Sequence, residues 1–146
     1  MKSSHNILGQ EKLIIPSDVN QLPRIENFSQ HISEKASLNK EKSENLAIVL
    51  TELVNNAILH GNKMEVGKKV TLIVIYFSDR VQITVKDEGR GFDPSRLSDP
   101  RDPENIWKET GRGIFLVKNL IDDVQFHSTP DGMEIIVTAY KKNGAD

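Results

Sequence analysis

With 146 residues, 37% hydrophobic and 27% charged, the chain has the size and balance of one globular domain able to bury a core. A formal net charge of −2, with only the basic pairs Lys68-Lys69 and Lys141-Lys142, offers no electrostatic basis for binding nucleic acid or an anionic membrane. The absence of cysteine excludes disulfides, thiol catalysis and cysteine-ligated zinc or iron–sulfur centres.

In chain order, residues 1–10 read as an N-terminal tail without the apolar run of a signal peptide. One domain is expected over residues 11–142. The run Leu13-Ile14-Ile15 inside Glu11 to Pro16 predicts an edge strand ended by proline. Ser17 or Asp18 can cap a helix to about Ala36, with Leu22, Ile25, Phe28 and Ile32 on its core side. A second helix is expected from about Lys42 to His60, closed by Gly61 as a C-cap.

After Gly67 the period changes. Val70 to Phe77 is β-branched and aromatic, Ser78-Asp79 is a turn, and Val81, Ile83 and Val85 alternate with polar residues in a second strand. None of these runs reaches the length of a membrane span, so a cytoplasmic protein is expected. The stretch from Asp87 to Pro103 is rich in glycine and proline, and irregular stretches of that length inside domains often carry function. A short helix from Gly113 to about Ile121 then leads to a hairpin, Val124 to Ser128 and Glu134 to Tyr140, turning through Pro130-Asp131-Gly132. This order predicts an α+β two-layer sandwich, a mixed and mainly antiparallel sheet with helices on one face.

Three places carry more polarity or glycine than such a fold requires. On the second helix, Glu52, Asn56 and His60 recur every four residues beside the apolar set Leu46, Val49, Leu50, Leu53 and Ala57. Such a stripe is either the plain boundary of an amphipathic helix or the wall of a cleft. Asp87-Glu-Gly89-Arg-Gly91 follows a strand directly. It is a turn, or a place where backbone approaches a flat ligand and a carboxylate receives an exocyclic amine. Gly111-Arg112-Gly113 opens a helix, which makes it a hinge or an anion site.

Familiar phosphate loops do not fit. Gly61 to Lys69 has one residue too many for a P-loop and ends in lysine, and Gly111 to Leu116 lacks the third glycine of a dinucleotide fingerprint. No HExxH or calcium-loop pattern occurs, and the four histidines are scattered.

Taken together, Glu52-xxx-Asn56, Asp87-x-Gly89-x-Gly91 and Gly111-x-Gly113-xx-Leu116 resemble the N and G boxes of the GHKL ATPase/kinase superfamily. More narrowly, ELxNNAxxHGN, GFDPSRLxDPxDPEN and GRGIFLV are similar to the anti-sigma factor serine kinases of the RsbW and SpoIIAB type. The resemblance spans roughly residues 12–140 and implies the Bergerat ATP-binding fold. It implies ATP and Mg²⁺ as cofactors, with Asn56 as magnesium ligand, Glu52 as general base and Asp87 reading the adenine amine. Gly89 and Gly91 would shape the pocket floor, residues 92–110 would form an ATP lid, and Gly111, Arg112, Gly113 and Ile114 would bind the nucleotide. The chain departs from the wider pattern after Gly132, where Met133-Glu134 stand in place of the threonine often found there.

The resemblance further implies a homodimer that phosphorylates a STAS-domain anti-anti-sigma protein on Ser or Thr and sequesters a sigma factor. Two other readings stay open: an ATP-responsive binding module without phosphotransfer, and the ATPase domain of a histidine kinase. His60 and Trp107 are left without a role, and His31 reads as a surface histidine.

Overall fold

The computed structural model describes residues 6–89 and 116–141. The chain begins with strand β1 (Ile7–Pro16), which runs antiparallel to β2 (Lys69–Phe77). β1 starts at Ile7 instead of Glu11, so the end of the expected tail belongs to the sheet. Ile7 and Gln10 are recruited by backbone pairing with Phe77 and Ile75, while Ile7 and Leu8 stay exposed. Without a buried alternation, the sequence gives no sign of that extension.

After Pro16, Asp18 accepts a hydrogen bond from Asn20 N (2.9 Å) and starts a 3-10 turn, Val19–Gln21. Helix α1 (Leu22–Lys35) follows with Pro23 in its first turn, where a missing N–H costs no helical bond. Ile25 and Ile32 are fully buried, and Leu22 and Phe28 pack at the rim of the core as their spacing predicts. Asn39 caps helix α2 (Lys40–Asn56), accepting from Lys42 N at 2.8 Å.

The end of α2 differs from expectation. The α-helix stops at Asn56 and continues as one turn of π-helix, Ala57–Gly61. Gly61 is therefore not a left-handed C-cap. The left-handed residues are Lys63 (φ 52°) and Met64 (φ 61°), and bonds from Asn62 N to Ala57 O (2.8 Å) and Met64 N to Ile58 O (2.7 Å) close the end.

The sheet has five strands in the order β1-β2-β3-β5-β4, with β3 at Arg80–Lys86, β4 at Asp123–Thr129 and β5 at Gly132–Tyr140. Every pairing among the described residues is antiparallel, the limiting case of the mainly antiparallel sheet expected. Alternate residues of β2 and β3 (Val70, Leu72 and Val74, then Val81, Ile83 and Val85) join Leu46, Val49, Leu50, Leu53 and Val54 of α2 in one apolar cluster. Residues 116–120 form a short helix ahead of β4, and its Val117 reaches the same cluster. No described helix is long and apolar enough to cross a membrane.

One polar group sits among the core-facing positions of β1. Glu11 receives the Tyr76 hydroxyl, lies 2.7 Å from His31 Nε2 and 3.6 Å from Lys35 Nζ. His31 of α1 thus ties helix to strand.

Candidate functional site

Asp87 leaves the sheet at the end of β3, where β5 begins beside it. Its backbone N–H donates to Met133 O (3.1 Å), extending the β3–β5 ladder by one bond. Its Oδ1 accepts from two backbone donors, Gly89 N at 2.9 Å and Met133 N at 3.1 Å. Oδ2 accepts no hydrogen bond among the described residues. Burial pushes the carboxyl pKa up, and this outweighs the lowering by the Met133 and Gly89 N–H groups and by Lys68. The result is an oriented carboxylate, one oxygen anchored and the other available to an incoming donor.

The chain comes close around this side chain because it is glycine at three points. A Cβ on Gly61 would overlap Asp87 Oδ2, one on Gly89 would overlap Gly61 O, and one on Gly132 would overlap Asp87 O. Gly132 also has φ +147°, a conformation side chains resist. The π turn, the β3 end and the β4–β5 turn therefore meet at Asp87.

Beneath them lies Asn62, fully buried. Its Oδ1 accepts from Glu88 N (2.7 Å), and its Nδ2 donates to Ser17 Oγ (2.7 Å) and Lys69 O (3.0 Å). Ser17, expected as a helix cap, instead donates its hydroxyl hydrogen to Lys68 O (2.7 Å). Glu88 accepts from Lys69 N through Oε1 at 2.8 Å.

Glu52 and Asn56 stand one turn apart at the end of α2, both half-buried. Asn56 Nδ2 is buried and has no hydrogen-bond partner among the described residues. Leaving such a group unpaired costs about 1–3 kcal/mol, a penalty that a bound ligand can relieve. Among the described residues no three His, Asp or Glu side chains gather as a metal cage. A cation held at Asn56 would take its remaining ligands from phosphate and water, which suits Mg²⁺. At the other half, Asp87 Oδ2 has an acceptor to spare for an amine donor such as that of a purine. Gly91, Gly111, Arg112, Gly113, Ile114, the lid at 92–110 and Trp107 lie outside the described residues.

Sequence reading named Glu52, Asn56, Asp87 and Gly89, but gave no role to Asn62, Ser17, Gly61 or Gly132 in the surroundings of Asp87. A buried asparagine directly after a helix is the kind of signal that invites a search for long-range partners, yet its burial is not visible in sequence.

Residues 15–139 match the histidine kinase-like ATPase domain family. The serine-protein kinase RsbW of Listeria monocytogenes is 26% identical over 115 residues, covering 75% of this chain and 73% of the relative. An RsbW from Bacillus cereus is 32% identical over 103 residues, covering 66% of this chain and 63% of the relative. The crystal structure of the RsbU and RsbW domains of a Mycobacterium tuberculosis protein superposes with a TM-score of 0.66 at 13% identity, covering 90% of this chain. This chain spans 32% of that longer one, and the likeness is one of fold. The chain is similar to the RsbW serine-protein kinases and belongs to the histidine kinase-like ATPase domain family, of the GHKL type.

Proposed function

We propose that this kinase domain transfers the γ-phosphoryl group of ATP to a serine or threonine of a STAS-domain anti-anti-sigma protein, and that it sequesters a sigma factor. It acts as a cytoplasmic homodimer. The reading is carried by the Asp87 carboxylate, whose Oδ1 is anchored by Gly89 and Met133 N–H groups while Oδ2 accepts no hydrogen bond among the described residues. Oδ2 accepts the exocyclic amine of adenine. Asn56 would hold Mg²⁺ through its amide oxygen, and the ion would offset the charge of the phosphates. Glu52, one turn earlier on α2, takes the proton of the attacking hydroxyl as its oxygen bonds to phosphorus and ADP leaves. A base on that turn is what phosphotransfer needs and nucleotide binding alone does not.

The test is incubation with labelled ATP and a STAS-domain protein. Label is expected on a serine or threonine of the partner. Glu52→Ala is expected to keep nucleotide affinity and lose transfer by about 100-fold, the scale of a general base. Asn56→Ala is expected to lose Mg-ATP binding by calorimetry. A normal single-turnover rate in Glu52→Ala removes the base, and nucleotide binding by the parent without any transfer leaves a binding module. Label on histidine of the chain itself would point to the histidine-kinase reading.

A further inference from the structure

We infer that Asn62, delivered by the π turn together with Gly61, is the positioning residue that fixes the Asp87 carboxylate and so sets the preference for a purine bearing an exocyclic amine. The inference rests on the proposed reading of adenine by Asp87.

The backbone on both sides of the Asp87 Cα is held. The Asp87 N–H is bound to Met133 O on β5, and the Glu88 N–H is bound to Asn62 Oδ1. Main chain fixed at successive N–H groups cannot swing its side chain sideways without breaking one bond. Of these, the Asn62 bond is the one made by a side chain, and it spans 26 residues of sequence.

Asn62 is itself oriented without ambiguity. Its amide nitrogen has two hydrogens, and Ser17 Oγ and Lys69 O take both. A flipped amide would set its oxygen against the Lys69 carbonyl and its nitrogen against the Glu88 N–H. The acceptor must therefore face Glu88. Ser17 is in turn locked by donating to Lys68 O, so the bracket reaches from the end of β1 to the start of β2.

Gly61 supplies the other restraint. Its missing Cβ lets the π turn press against Asp87 Oδ2, and its carbonyl lies where any side chain on Gly89 would fall. A regular α-helical turn over Ala57–Gly61 would present different residues to this corner. The π turn thus brings a wall and a clamp to one carboxylate from consecutive positions.

A residue that merely stabilised the fold would weaken all ligands alike. A positioning residue changes the choice between them. Calorimetry with the full chain compares ATP with purine riboside triphosphate, which lacks the exocyclic amine. The parent is expected to prefer ATP. Asn62→Ala is expected to lose about tenfold of that preference, the scale of one hydrogen bond, with the loss falling on ATP and not on the analogue. Gly61→Ala, which displaces Oδ2 directly, is expected to show the same pattern. Unchanged preference in a folded Asn62→Ala overturns the inference. A parent that binds both nucleotides equally removes the Asp87 reading itself, a failure told apart because it needs no variant. Hydrogen exchange on the nucleotide-free parent adds a check independent of any substitution. The Glu88 amide is expected to be protected, and rapid exchange there overturns the inference.

Discussion

Asp87 carries its charge where burial opposes it, and the sign of that opposition has a measurable consequence. Its folded pKa lies above the unfolded one, with desolvation the largest cause. Such a group favours folding below the unfolded pKa, about 3.9, and that contribution is lost as pH rises through the folded value. At neutral pH the ionised carboxylate therefore costs stability. Asp87→Asn keeps an oxygen for the Gly89 and Met133 N–H groups while removing the charge. It is expected to melt above the parent at neutral pH, with the gap narrowing as pH falls through the carboxylate range, and to lose ATP binding. A lower melting temperature at neutral pH would mean that the two N–H bonds and Lys68 outweigh desolvation. Asp87 was legible because glycines follow a strand there. Asn62 was not, since Ser17 and Glu88 lie 45 and 26 residues away and no local pattern announces them.

Between elements, the ties of β1 to α1 depend on ionisation in a different way. Burial raises the Glu11 carboxyl, but hydrogen bonds from Tyr76 and His31 and the charges of His31 and Lys35 together hold its pKa below the usual value. The Tyr76 hydroxyl is pushed up, by burial first and then by Glu11. Glu11 thus contributes stability above its unfolded pKa that is lost as pH falls through the folded one. The contribution of Tyr76 is full below about pH 10 and lost as pH rises through its folded value. Glu11→Gln is expected to cost about 1 kcal/mol near neutral pH and to flatten the acid limb of a melting-temperature profile. An unchanged acid limb would place the acid sensitivity elsewhere. At this scale the sequence made the strands and the hairpin legible through alternation and turn residues, but of the caps only Asp18. It did not reveal the start of β1, whose Ile7 and Leu8 face solvent, nor the π turn, because an apolar period near four residues fits both kinds of helix over so short a stretch.

Across the molecule, α2 is the element on which core and site depend together. Leu53, fully buried beside Leu50 and Val54, lies on the same helix as Glu52 and Asn56. Leu53→Ala is expected to lower unfolding free energy by about 2–5 kcal/mol in chemical denaturation. A loss well under 1 kcal/mol would show that the layers close over the gap. The two-layer architecture was legible because one apolar face per element leaves few ways to pack them. The meeting of segments at Asp87 was not, because it depends on where distant turns arrive in space. That meeting also bears on how the protein comes to exist. Met133, the donor 46 residues beyond Asp87, belongs to β5, the last strand of the sheet in chain order. A growing chain that has not yet made β5 lacks one anchor of the Asp87 carboxylate, so on the proposed reading of adenine the site is complete only when synthesis of the sheet is finished.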